Sequence, residues 1–143
     1  MAGGVTWTVR PGTRTGLAVP GIWCERTVYR SAHADEVASW TALAVGAPLR
    51  AVREIAADAR RLAAGLSGRA RERALREVDG DGCLGAVSAL HRGEPCGLAL
   101  NCAGTWVEWS AHPVLFLPVV SRTGPRCRRA VDEGAGFGAA ALR

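Results

Sequence analysis

A chain of 143 residues, 48% hydrophobic and 22% charged, has the size and composition of one globular domain and lies far from the disordered regime. Its longest apolar stretch, VLFLPVV at residues 114–120, is strand-sized and contains a proline, so the sequence predicts no membrane-spanning helix. The net charge of +5 suggests an anionic partner, yet all 18 basic residues are arginine and lysine is absent, as a GC-rich genome would dictate; part of the basic excess is compositional.

The opening MAGGVTWTVR has no basic region followed by an apolar one, and the expectation is a cytoplasmic protein without a secretory signal. Residues 5–9 alternate and predict a strand, and the Pro/Gly/Thr-rich residues 10–16 predict a turn. Residues 17–19 and 22–30 predict two further strands separated by Pro20-Gly21. Ser31 has the chemistry of an N-cap, and Asp35 and Glu36 suit a first helical turn, so a helix is expected to run to about Val45 and end at Gly46.

Pro48 then opens a second helix. At about 100° per residue, Val52, Ile55, Ala56, Ala59, Leu62, Ala63 and Leu66 fall on one arc. Arg50, Arg53, Glu54, Asp58, Arg60 and Arg61 are placed on the polar side. After a break at residues 65–68, residues 69–78 predict a short third helix, closed by the turn Asp79-Gly80-Asp81-Gly82. From Cys83 the reading returns to strands at residues 84–90, 97–101, 105–110 and 114–120, with turns at 92–95, at Ala103-Gly104 and near His112-Pro113. The expected class is α+β: a mostly antiparallel sheet of N-terminal and C-terminal strands, with a central block of helices packed on one face. Residues 1–122 are read as one domain and 123–143 as a flexible tail rich in Arg, Gly and Ala.

The stretch HRGEPCGLALNC, residues 91–102, raises the question of zinc. On a strand, Cys96 and Cys102 share a face but lie roughly 20 Å apart, too far to share an ion. The expected arrangement is a hairpin, with a strand ending near His91 and another from Cys96 to Cys102 whose Cys96, Leu98, Leu100 and Cys102 face the core. His33, Asp35 and Glu36 at an expected helix start, followed later by Pro95-Cys96, partly resemble the zinc deaminases, whose signature is His-x-Glu and then Pro-Cys-x-x-Cys. Here Glu36 stands one residue too far from His33, and the second cysteine spacing is too long. The resemblance leaves one alternative, a zinc-dependent hydrolase using His33, Cys96 and Cys102.

Five cysteines at irregular spacings do not make a disulfide framework, and most are expected to be buried, reduced thiols. Neither a dinucleotide nor a P-loop fingerprint is present, and no cofactor is implied. Residues 49–76 hold eight arginines against three acidic residues, so Arg50, Arg53, Arg60, Arg61, Arg69 and Arg73 are candidate anion contacts for sequence-tolerant nucleic-acid binding. Arg50 with Glu54 and Asp58 with Arg61 have ion-pair spacing on a helix.

Five tryptophans are more than such a core needs. Trp106 and Trp109 fall on opposite faces of one strand, and with Trp40 they are the candidate interface residues. The primary expectation is a small non-catalytic interaction module that binds a protein partner or self-associates as a homo-oligomer.

Overall fold

The computed structural model describes residues 18–33 and 35–117. Along the chain lie β1 (Val19–Tyr29), β2 (Val37–Val45), α1 (Pro48–Ala64), α2 (Gly68–Asp79), α3 (Gly82–His91), β3 (Cys96–Cys102) and β4 (Thr105–Phe116). The strands form a four-stranded antiparallel sheet in the order β2-β1-β4-β3, so the first and last of the described strands meet as the central pair. Helices pack on one face, with α1 touching all four strands and α2 and α3 lying towards β3. The expected α+β class is observed, with the helical block on one side of an antiparallel sheet.

Period-two alternation sorts each strand between the two faces. On β1, Ile22, Cys24, Arg26 and Val28 are buried beneath the helices, while Trp23, Glu25, Thr27 and Tyr29 are half-buried on the other side. On β4 the same division puts Val107, Trp109 and Ala111 inward and Trp106, Glu108 and Ser110 outward. The helix-side core is completed by Leu43 and Val45 of β2, Leu100 and Cys102 of β3, and Val52, Ile55, Ala56, Ala59 and Ala63 of α1. Cys96, Leu98, Leu100 and Cys102 pack together on the core side, as the alternation predicts.

One polar group sits inside this apolar layer. Asp58 of α1 is 2% exposed, and its carboxylate accepts Trp109 Nε1–H at 2.8 Å and Arg26 Nη1–H at 3.1 Å. Arg61, one turn further along α1, donates to the other oxygen at 2.9 Å from a half-exposed side chain. Arg26 and Trp109 are direct cross-strand partners on the two central strands, so one carboxylate ties the helix to the middle of the sheet. The sequence reading placed Asp58 with the polar residues of α1, but Asp58 lies seven residues from buried Ala51 and therefore nearly beneath it on the helix.

Two elements differ in type from the expectation. Residues 37–45 form a strand rather than a helix, because Leu43 and Val45 bury on one face while Trp40, Ala42 and Ala44 take the other. Ser31, expected as a helix N-cap, instead lies in the β1–β2 turn, where its Oγ accepts the backbone N–H of His33 at 3.4 Å. Residues 84–90 belong to helix α3 rather than to a strand: Cys83, Ala86, Val87 and Leu90 recur at helical spacing and pack on the core, leaving Leu84 77% exposed. The segment before Cys96 is thus a helix, and HRGEPCGLALNC is a helix end, a turn and a strand rather than a hairpin.

Pro20-Gly21 and His112-Pro113 do not divide strands; β1 and β4 each run through them. The close approach at Gly21 explains its glycine, since a Cβ there would lie 2.5 Å from the Phe116 ring. The turn expected at Ala103-Gly104 joins β3 to β4 with both residues at positive φ, and Asn101 Oδ1 accepts the Gly104 N–H at 3.0 Å. Helices α1 and α2 match the expected segments closely, and Arg50–Glu54 and Asp58–Arg61 both form. The strand expected at 5–9 and the tail at 123–143 lie outside the described residues.

The buried carboxylate makes a stability prediction. Asp58→Leu removes the buried carboxylate that Arg26 and Trp109 both donate to and is expected to cost about 3–5 kcal/mol in urea unfolding. The double change Arg26→Met/Asp58→Leu removes both charges and should recover a large part of that loss; equal loss in the single and double variants would contradict this role.

Candidate functional site

The face of the sheet opposite the helices is built by the residues that alternate away from the core. Its centre is defined by the register of β1 with β4, where successive outward rows are Trp23 with His112, Glu25 with Ser110, Thr27 with Glu108 and Tyr29 with Trp106. Trp40 of β2 lies beside Thr27, and Ala99 of β3 beside Glu108. Trp40 is 55% exposed, and Trp23, Tyr29 and Trp106 are half-buried.

Two short sequences repeat across this face, Trp23-Cys24-Glu25 on β1 and Trp106-Val107-Glu108 on β4. In each, the tryptophan and the glutamate are two residues apart on a strand and share the outward side. Each indole N–H donates to its own glutamate, Trp23 Nε1 to Glu25 Oε1 at 2.7 Å and Trp106 Nε1 to Glu108 Oε1 at 2.6 Å. Because the strands are antiparallel, the two motifs are related by an approximate two-fold axis through the Arg26–Trp109 pair. The carboxylates are diagonal neighbours, about 7–8 Å apart at the backbone. Thr27 and Ser110 supply hydroxyls between them.

Of the interface candidates, Trp40 and Trp106 are on this face, whereas Trp109 is 2% exposed and belongs to the core. Trp109 cannot meet a partner directly, because its indole is spent on Asp58 beneath the helices. Trp23, Glu25, Tyr29 and Glu108 were not singled out from the sequence; the repeated Trp-x-Glu was the available signal.

The other candidates are dispersed. Arg50 pairs with Glu54 at 4.0 Å, Arg60 with Asp79 at 2.7 Å and Arg61 with Asp58 at 2.9 Å. Arg53, Arg69 and Arg73 are exposed on α1 and α2, and Arg73 shares a groove of about 410 Å³ with Glu77, Asn101 and Trp106. His33 is exposed in the β1–β2 turn, and Cys96 and Cys102 stand at opposite ends of β3. Among the described residues, no three His, Cys, Asp or Glu side chains are grouped to hold a metal ion. The four described cysteines are free thiols. Burial pushes the thiols of Cys96 and Cys102 up, and burial together with Cys96 and Glu54 pushes Cys24 up to about 12. Thiols held protonated in this way are poor nucleophiles. Cys83 and Cys96 border an apolar cavity of about 110 Å³ between the helices and β3.

No protein-family model matches this chain, and comparison with curated proteins and with solved structures gave no match either.

The buried thiol gives the fold an alkaline limit. As the pH rises past the ordinary thiol value of 9.0, the unfolded chain gives up a proton that folded Cys24 keeps until about 12. Stability therefore falls with rising pH across that window. Cys24→Ala is expected to flatten this slope in denaturant titrations run at successive pH values; an unchanged slope would assign the alkaline limit to other groups.

Proposed function

We propose that this chain is a non-catalytic protein-binding module that recognises its partner through the face of the sheet that no described element covers. The observation that carries the reading is the distribution of large aromatic residues. Once the helices have buried the other face, Trp23, Tyr29, Trp40 and Trp106 remain on one continuous outward surface, with Trp40 more than half exposed. Aromatic side chains give much contact area for little conformational entropy, which is why protein interfaces concentrate them. Contiguous exposed aromatic surface on a globular protein is costly unless something uses it.

Two further features support the reading. Among the described residues no three His, Cys, Asp or Glu side chains are grouped to hold a metal ion, and burial keeps the thiols of Cys24, Cys96 and Cys102 protonated, which suits recognition better than catalysis. No helix among the described residues is long and apolar enough to cross a membrane. Free buried cysteines suit a reducing compartment such as the cytoplasm. Arg69 and Arg76 of α2 are exposed and do not line the groove that Arg73 shares with Trp106, so they provide a control surface.

The test is comparative capture with the full chain immobilised in an extract of its source cells. A single partner is expected to be retained by the wild type and by Arg69→Gln/Arg76→Gln, and lost with Trp40→Ser/Trp106→Ser, all variants keeping a cooperative unfolding transition. Retention that survives the tryptophan changes and disappears with the arginine changes would transfer the function to the helical face. Nucleic acid retained in the same arginine-dependent way would have the same consequence.

A further inference from the structure

From the charge pattern of the same face, and resting on the reading above, we infer that the partner presents a cationic segment, with an arginine or lysine side chain seated between Glu25 and Glu108 among the tryptophans. None of the described arginines stands on a strand of this face: Arg26 is in the core, Arg30 and Arg92 are in turns, and the remainder are on the helices, with Arg73 of α2 bordering the face in the groove it shares with Trp106. The ionisable groups that face outward from the strands are Glu25, Glu108, His112 and the Tyr29 phenol. The face is therefore acidic at its centre.

The glutamates are held for this use. Each spends Oε1 on an indole N–H, which fixes its rotamer, and Oε2 takes no hydrogen bond from a described residue. Neither has an ion-pair partner among the described residues. Two carboxylates about 7–8 Å apart at the backbone can both reach one guanidinium, whose fork of donors suits them. The indoles of Trp23, Trp40 and Trp106 and the ring of Tyr29 offer π faces that attract the same cation. Ser110 and Thr27 complete the floor with hydroxyl acceptors.

The same charges argue against a second copy stacked face to face. Two such faces would bring four carboxylates together at the centre of the interface with no described arginine to meet them. A partner with basic residues set among apolar ones meets both the carboxylates and the aromatic rim.

The experiment uses pairs of eight-residue peptides that differ only in carrying arginine or citrulline at two positions, titrated into the full chain and followed by tryptophan fluorescence and by the indole N–H resonances. The arginine peptide is expected to bind roughly tenfold or more tightly than its citrulline twin, to weaken as salt rises, and to shift the indole signals of Trp23 and Trp106. Glu25→Gln/Glu108→Gln, with both changes on the surface and thermal unfolding measured as a check on folding, should abolish the preference while keeping the weak aromatic contact. Equal binding of the two peptides, or binding of neither, overturns the inference. So does a concentration-dependent dimer in sedimentation that Trp40→Ser disrupts, because the face would then belong to a second copy. If the peptides fail to discriminate while Trp40→Ser/Trp106→Ser still loses the captured partner, the binding face stands and only its cationic preference falls.

Discussion

The carboxylate of Asp58 is the contact on which the arrangement of this molecule turns. Apolar packing of a helix on a sheet is non-directional and would tolerate sliding or rotation of α1. Hydrogen bonds from Trp109 and Arg26 to one buried carboxylate do not. A buried ion pair of this kind adds little net stability over apolar packing, because desolvation offsets the attraction. What it contributes here is position. It locks α1 over the β1–β4 pair, and since Arg26 and Trp109 must both point inward, the residues on either side of them must point out.

That sidedness produces the candidate site. Trp23 and Glu25 precede Arg26, and Trp106 and Glu108 precede Trp109, so the inward anchor and the outward aromatic-acidic motif are two faces of one alternation. The approximate two-fold relation between the motifs passes through the anchor pair itself. A face assembled on the two central strands is rigid, because each is hydrogen-bonded on both sides. Recognition elements held this way keep their geometry better than elements on loops.

Whole-chain charge is a poor guide to this surface. The described residues carry eleven arginines against eleven aspartates and glutamates, so the excess falls in residues 1–17 and 118–143, and on the helices and turns pairs such as Arg60–Asp79 and Arg92–Glu94 engage part of the arginine. The outward sheet face carries the opposite sign. Tertiary structure has brought Glu25 and Glu108 together on the face away from the arginine-bearing helices, which net charge does not reveal. The cysteines show a similar gap between count and role. Cys24 and Cys102 are buried, and Cys96 is half-buried, as the spacing of the last two on one strand face indicates.

By itself the sequence determined the α+β class, the helices α1 and α2, the alternation of β3, and the opposite facing of Trp106 and Trp109, because in each case a single period of 3.6 or 2 accounts for the pattern over the whole element. It did not determine residues 37–45 or 82–91. The first is rich in alanine, which suits a helix, yet pairing with β1 supplies hydrogen bonds that local propensity does not register. The second mixes Val and Leu with Gly, and its helical spacing of Cys83, Ala86, Val87 and Leu90 is visible once there is a core for that stripe to meet. The site lay further out of reach. Glu25 and Glu108 are 83 positions apart in the chain, and what makes them neighbours is the antiparallel register of β1 with β4. Strand order is set by which apolar faces can be buried together, a property of the whole chain, so only the folded structure could bring the two Trp-x-Glu motifs onto one surface.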